Sequence, residues 1–111
     1  YTQRARVAEA IVSVHPWRAA VAEHYAQNKQ LPNGVADLAK DLVPQEPASR
    51  NGAASLGANG MLTLTMTPAT GAMAGKTILF RPQAEPGGLI WDCTGGTLEP
   101  RYRPATCRAP R

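Results

Sequence analysis

An α+β fold is what this sequence predicts: a long N-terminal helix, kinked at Pro16, packed on a small antiparallel sheet of about four strands, with a C-terminal loop bounded by two cysteines. Apolar residues recur at helical spacing through the first 29 residues. Period-two alternation begins at Met61. Cys93 and Cys107 then enclose a stretch rich in Gly and Pro. At 111 residues the chain suits one domain rather than two. Its expected parts are the helix over 1–29, a connection over 30–60, the sheet over 61–93 and the C-terminal region over 93–111.

Composition sets the limits. The hydrophobic fraction is 43%, but 19 of those residues are Ala, and Leu, Ile, Val and Phe together supply only 19 more. That is near the level at which chains stop folding. The small net charge of +4 and the clear periodicity argue for a folded domain with a thin core, held by something besides burial. No run of 18 apolar residues is present, so nothing reads as a membrane span. The chain opens Tyr1-Thr2-Gln3-Arg4-Ala5-Arg6 with no signal peptide and no initiator Met, and is expected to be processed or trimmed. A pI of about 9.5 permits anionic partners without demanding them.

Within the helix, Val7, Ile11, Val14, Val21 and Tyr25 form one apolar stripe, on which Arg18 also falls. The Arg18 stem must therefore snorkel, or the stripe must shift there. Ala5, Ala8, Val12, Ala19 and Ala26 make a second stripe of small residues, with Glu9, Ser13, Glu23 and Gln27 beside it. Either Ala is there as the best helix former, or a second partner packs closely on that face. Pro16 cannot donate to the carbonyl of Val12, so a kink is expected between two continuing stretches.

Leu31-Pro32-Asn33-Gly34 ends the helix with turn chemistry, and Val35, Leu38 and Leu42 suggest a short helical segment before Pro44. From Gln45 to Gly60 the composition is that of a loop, with turn dipeptides at Asn51-Gly52 and Asn59-Gly60. Leu62, Leu64 and Met66 share one face of a strand with threonines opposite. Residues 77–81 and 89–93 are the next two strands, joined by short turns and hence antiparallel. Pro100, Pro104 and Pro110 then block regular structure.

An even cysteine count in a small domain suggests an extracytoplasmic disulfide, worth about 3 kcal/mol for a loop of this size in the chain-entropy model. The alternative is two free buried thiols in a cytosolic protein; no His or second Cys pair offers a metal site. Enzymatic constellations are nearly absent, and no catalytic activity or cofactor is expected. His15 and His24 lie on opposite sides of the helix, and Asp37 and Asp41 read as a solvated face. No phosphate loop, nucleophile elbow, Cys-x-x-Cys or Asn-x-Ser/Thr sequon occurs. Arg101, Arg103, Arg108 and Arg111, with Tyr102 among them, suit a nucleic-acid backbone, salt bridges to neighbouring subunits or simple solubility.

Tyr1-Thr2-Gln3-Arg4-Ala5-Arg6-Val7-Ala8-Glu9-Ala10 at one end, and Trp91-Asp92-Cys93 with Tyr102-Arg103-Pro104-Ala105-Thr106-Cys107 at the other, resemble bacterial type IV pilins of the type IVa, major-subunit kind. Residues Tyr1 to Ala10 look like the pilin helix just past its membrane-embedded part, and Ser13-Val14-His15-Pro16-Trp17-Arg18 is similar to its proline-kinked stretch. Trp91-Asp92-Cys93, then Tyr102-Arg103-Pro104-Ala105-Thr106-Cys107, resembles the family pattern of Trp two residues before Cys, followed by Tyr-x-Pro-x-x-Cys. Gly75-Lys76-Thr77-Ile78-Leu79-Phe80 fits as well. Similarity covers about half of the chain, and 30–60 is the part that varies among pilins.

The resemblance implies a pilin fold and a structural subunit of a type IV pilus, supporting surface adhesion, twitching motility and DNA uptake. It implies that this is an N-terminally truncated, soluble form. The missing part would carry a leader cut by prepilin peptidase, an N-methylated Phe, a Glu used in assembly, and an apolar helix that anchors the subunit in the inner membrane of a Gram-negative cell. The implied partners are other pilin subunits in an extracellular helical filament, the pilus assembly machinery and the inner membrane, with host or abiotic surfaces, DNA or phage beyond them. The family's disulfide region corresponds to Cys93–Cys107. Its surface or receptor-binding loop would then be Thr94, Gly95, Gly96, Thr97, Leu98, Glu99, Pro100, Arg101, Tyr102, Arg103, Pro104, Ala105 and Thr106. The stripe of Ala5, Ala8, Val12, Ala19 and Ala26 becomes the filament packing face. With Glu99 the sole acid in 94–106, a calcium-binding pseudopilin is disfavoured. The alternative is a minor, DNA-binding pilin of natural transformation.

Overall fold

In the computed structural model, residues 2–45 and 49–109 are described. Expectations that rest on Tyr1, Pro110 and Arg111 lie outside them. The helical stretch is bent, as Pro16 requires, but it forms two helices rather than one. Helix α1 runs Gln3–Val12 and α2 runs His15–Asn28. The Thr2 side chain caps α1 by accepting from the Ala5 N–H at 3.2 Å. Ahead of the proline the ladder tightens, with Ser13 N–H donating to Ala10 O (3.0 Å) and Val14 N–H to Ile11 O (2.9 Å). Pro16 then sits in the first turn of α2, where its missing N–H would have no helical partner anyway. Lys29, at φ 58°, closes α2 by donating its N–H to Tyr25 O.

The sheet has four antiparallel strands in the order β1-β2-β3-β4: Gly52–Leu56, Leu62–Met66, Thr77–Glu85 and Gly88–Gly95. Three of them lie where period two placed them. β3 and β4 are longer than the alternation suggested, because their hairpin turns on Pro86-Gly87 alone, with Glu85 opposite Gly88. β1 falls inside the segment read as a loop. Gly-Ala-Ala-Ser-Leu carries no β-branched or aromatic residue, so it has no strand signal of its own. Pairing with β2 from Gly52↔Met66 to Leu56↔Leu62 makes it a strand. Around Cys93 and Thr94, β4 holds one residue more than β3 between the pairs Leu79↔Gly95 and Arg81↔Asp92, which is a bulge.

Helix and sheet form two layers around one core. Val7, Ala10 and Val14 meet Leu62, Leu64, Met66, Ile78 and Phe80, with Met73 and Leu98 closing the ends; all are at most 2% exposed. Val21 is fully buried, Ile11 packs at the core margin, and Tyr25 is half-buried. Arg18 is accommodated on the apolar stripe by placing its guanidinium 5.5 Å from the centre of the Trp91 ring. The layers approach tightly at Gly52, where a Cβ would lie 2.8 Å from Ala10 Cβ on the helix and 2.8 Å from Leu64 Cδ1 on the neighbouring strand. Gly52→Ala is therefore expected to overpack this contact and cost about 1–3 kcal/mol, read as a lower urea midpoint. A midpoint equal to wild type would mean that the layers are looser than described.

Candidate functional site

Cys93 and Cys107 form a disulfide, with S–S 2.10 Å and Cα–Cα 4.8 Å. The single turn Ala105–Cys107 brings the second cysteine back to the bulged end of β4. The loop between them is secured at both ends. Thr77 N–H donates to Thr97 Oγ1 (2.9 Å), Thr97 N–H donates to Thr77 Oγ1 (3.2 Å), and Leu98 N–H donates to Thr77 O (2.9 Å). This apposition needs glycine at position 96: its φ is +104°, and a Cβ there would meet Thr77 O at 2.3 Å. On the other side, Arg4 Nε donates to Arg101 O (2.9 Å), tying the loop to α1.

The centre of the loop is Arg103, and here the sequence reading needs correcting. Grouped with the surface residues and the basic cluster, Arg103 is instead 3% exposed. Nε donates to Leu98 O at 2.9 Å. Nη1 donates to Cys93 O (3.2 Å), Gly95 O (2.9 Å) and Cys107 O (3.2 Å). Nη1 carries only two hydrogens, so one of these bonds is shared between acceptors. None of these acceptors is a carboxylate; the cation is solvated by backbone dipoles drawn from both ends and the middle of the loop. Burial lowers its pKa from the ordinary value, although a guanidinium starts so high that it stays charged. Leu98, also among the residues read as surface, belongs to the core.

The remaining loop residues divide into an exposed rim and half-buried supports. Gly96, Thr97, Glu99, Pro100, Arg101, Ala105 and Thr106 are exposed, while Thr94, Gly95, Tyr102 and Pro104 are half-buried. Arg101 pairs with Glu99 at 3.0 Å and lies 4.8 Å from the centre of the Tyr102 ring. Arg108 spends its Nε on Pro100 O (3.0 Å) and Arg103 O (3.1 Å). Arg103 and Arg108, which look like part of one basic patch in the sequence, thus serve to fold the loop.

The second candidate surface is the helix face. Ala8, Val12, Ala19 and Ala26 are exposed, Val12 at 59%, and Ala5 is half-buried. Directly behind them Val7, Ala10 and Val14 are fully buried. His15 is exposed and His24 is half-buried beside Asn28. Asp37 caps a turn by accepting from Asn33 N–H at 2.8 Å, and Asp37 and Asp41 are both exposed. Among the described residues no group of His, Cys, Asp and Glu is arranged to hold a metal, and no helix is long and apolar enough to cross a membrane.

Two comparisons bear on this arrangement. Residues 3–108 match the family model for pilin, a bacterial filament protein. Fimbrial protein EcpC of Eikenella corrodens is 28% identical over 112 residues, an alignment that covers 97% of this chain and 72% of that protein.

Proposed function

We propose a function from one premise: the chain belongs to the pilin family of bacterial filament proteins. As such it is a structural subunit that assembles with other pilin subunits into an extracellular pilus. In our reading, the face of Ala8, Val12, Ala19 and Ala26 packs on neighbouring helices in the filament. The sheet and the rim of the disulfide loop look outward. Small side chains let helix axes approach closely, and interaxial distance depends on the side chains at the contact. The observation that carries this reading is Val12, an apolar residue 59% exposed on a helix whose other side is fully buried. The rim of Thr97, Glu99, Pro100, Arg101, Ala105 and Thr106 would provide adhesion to host or abiotic surfaces, and filament cycling by the assembly machinery would provide twitching motility. Anchoring in the inner membrane before assembly would fall to an apolar segment ahead of α1.

The packing face has a direct test. Ala8→Lys with Ala19→Lys in the full-length protein is expected to cut the yield of pili at the cell surface at least about tenfold, because each buried interface would take up unpaired charges. The melting temperature of the soluble domain should stay unchanged, since both side chains point away from its core. Normal piliation by this variant would rule the face out. Among the described residues of the C-terminal basic cluster, Arg103 is internal, Arg108 donates its Nε to carbonyls and Arg101 is paired with Glu99, which supports the filament-subunit reading over that of a DNA-binding minor pilin.

A further inference from the structure

We propose that Arg103 is a positioning residue for oxidation of the cysteine pair, holding Cys93 and Cys107 together before the disulfide forms. One nitrogen of its guanidinium, Nη1, donates to the backbone carbonyls of both half-cystines, each at 3.2 Å, and to Gly95 O at 2.9 Å. Nε adds Leu98 O from the middle of the loop. The acceptors are all backbone oxygens, so none of these bonds depends on the oxidation state of sulfur. The same fork can therefore close the loop in the dithiol form.

The two cysteines are 14 positions apart in sequence. Bringing such ends together costs loop entropy. A contact that closes the loop first converts the pairing step into one of high effective concentration. Tyr102 and Arg108 support the placement. The Tyr102 N–H donates to Glu99 O at 3.1 Å, and Arg108 Nε donates to Arg103 O at 3.1 Å. Both bonds fix the backbone from which the Arg103 side chain reaches inward.

The reaction it serves is ordinary thiol–disulfide exchange with a disulfide oxidant. One protein thiolate attacks a sulfur of the oxidant, forming a mixed disulfide and releasing one oxidant thiolate. The second protein thiolate then attacks the protein sulfur of that mixed disulfide, forming Cys93–Cys107 and releasing the second oxidant thiolate. Two electrons pass to the oxidant, and two protons leave the protein thiols. Arg103 takes no part in bond making; it sets the distance between the two thiols.

The test is equilibration of the chain with mixtures of reduced and oxidised glutathione in native buffer, followed by alkylation and mass measurement. Arg103→Met and Arg103→Gln are expected to lower the effective concentration of the dithiol at least about tenfold. Gly52→Ala, which strains the helix–sheet contact away from the loop, is expected to leave it within about twofold. In concentrated guanidinium chloride all of these chains should give the same value, because only chain entropy remains. Equal effective concentrations for wild type and both Arg103 variants in native buffer would overturn the proposal. A second measurement needs no Arg103 variant. In the double variant Cys93→Ser with Cys107→Ser, the Arg103 Nε–H resonance should remain protected from hydrogen exchange. A signal that exchanges freely there, whether through local opening or loss of the fold, would mean that the guanidinium engages only after the disulfide has closed.

Discussion

Arg103→Met should lower the stability of the domain by about 3 kcal/mol or more. The change removes a fork whose four acceptors are the carbonyls of Cys93, Gly95, Leu98 and Cys107, and a thioether cannot replace it. A buried carbonyl left without a donor costs about 1–3 kcal/mol, and hydrogen bonds to a charged group contribute about 1.5–3 kcal/mol each. Water entering from the rim would satisfy some of these oxygens, which keeps the expectation below the full sum. In thermal unfolding the shift is about 10 °C or more for a domain of this size. Arg103→Lys should recover only part of it, because an ammonium near the Nη1 position can serve Cys93 O, Gly95 O and Cys107 O but leaves Leu98 O without its Nε donor. A shift under about 2 °C for Arg103→Met would show that the loop is held by other contacts.

Cys93→Ser with Cys107→Ser is the second large effect. Opening a loop closed across 14 positions is expected to cost about 3 kcal/mol in the chain-entropy model. Mass measurement without reductant should find the wild-type chain two protons lighter than its reduced form. The substituted protein should unfold at a correspondingly lower urea concentration, and in cells its subunit yield should fall. The two changes act on the same fifteen-residue stretch from Cys93 to Cys107. Their double-mutant cycle should therefore show a coupling of about 0.5–3 kcal/mol, each clamp mattering less once the other is gone, because a fork that favours the disulfide is favoured by it in return. An unchanged urea midpoint after loss of the disulfide would contradict the dependence of a thin core on its covalent link.

That thin core explains which features were legible in the amino-acid sequence. Apolar periodicity carried the helical stretch, and the alternation of Leu62, Leu64 and Met66 carried β2, because burial on one face leaves a direct trace in composition. Pro16 marked the bend, since its lost N–H is a local property of one residue. β1 left no such trace: Gly52 fits the space beside Ala10 and the whole strand is set by pairing to β2, and both are long-range causes. Arg103 was hidden for the same reason. Four backbone carbonyls have no residue type, so nothing in the sequence distinguishes an arginine that they surround from Arg101, which faces water. The absence of acidic residues other than Glu99 in 94–106 was the one available hint that a cation there needs another kind of partner. The cysteine pairing followed from count and family pattern. The helix face of Ala8, Val12 and Ala19 was visible as a stripe, while its exposure required the sheet to be placed on the other side.

The chain is built into a filament. Pili sheared from the cell surface, separated from membranes and analysed by mass spectrometry, test it most directly. Peptides spanning Gln3 to Arg108 should be recovered from the filament fraction, with Cys93 and Cys107 joined. The Ala8→Lys/Ala19→Lys chain should be missing from that fraction while still present, folded and oxidised, in the cells. Filaments recovered without this chain from cells that produce it would contradict the account.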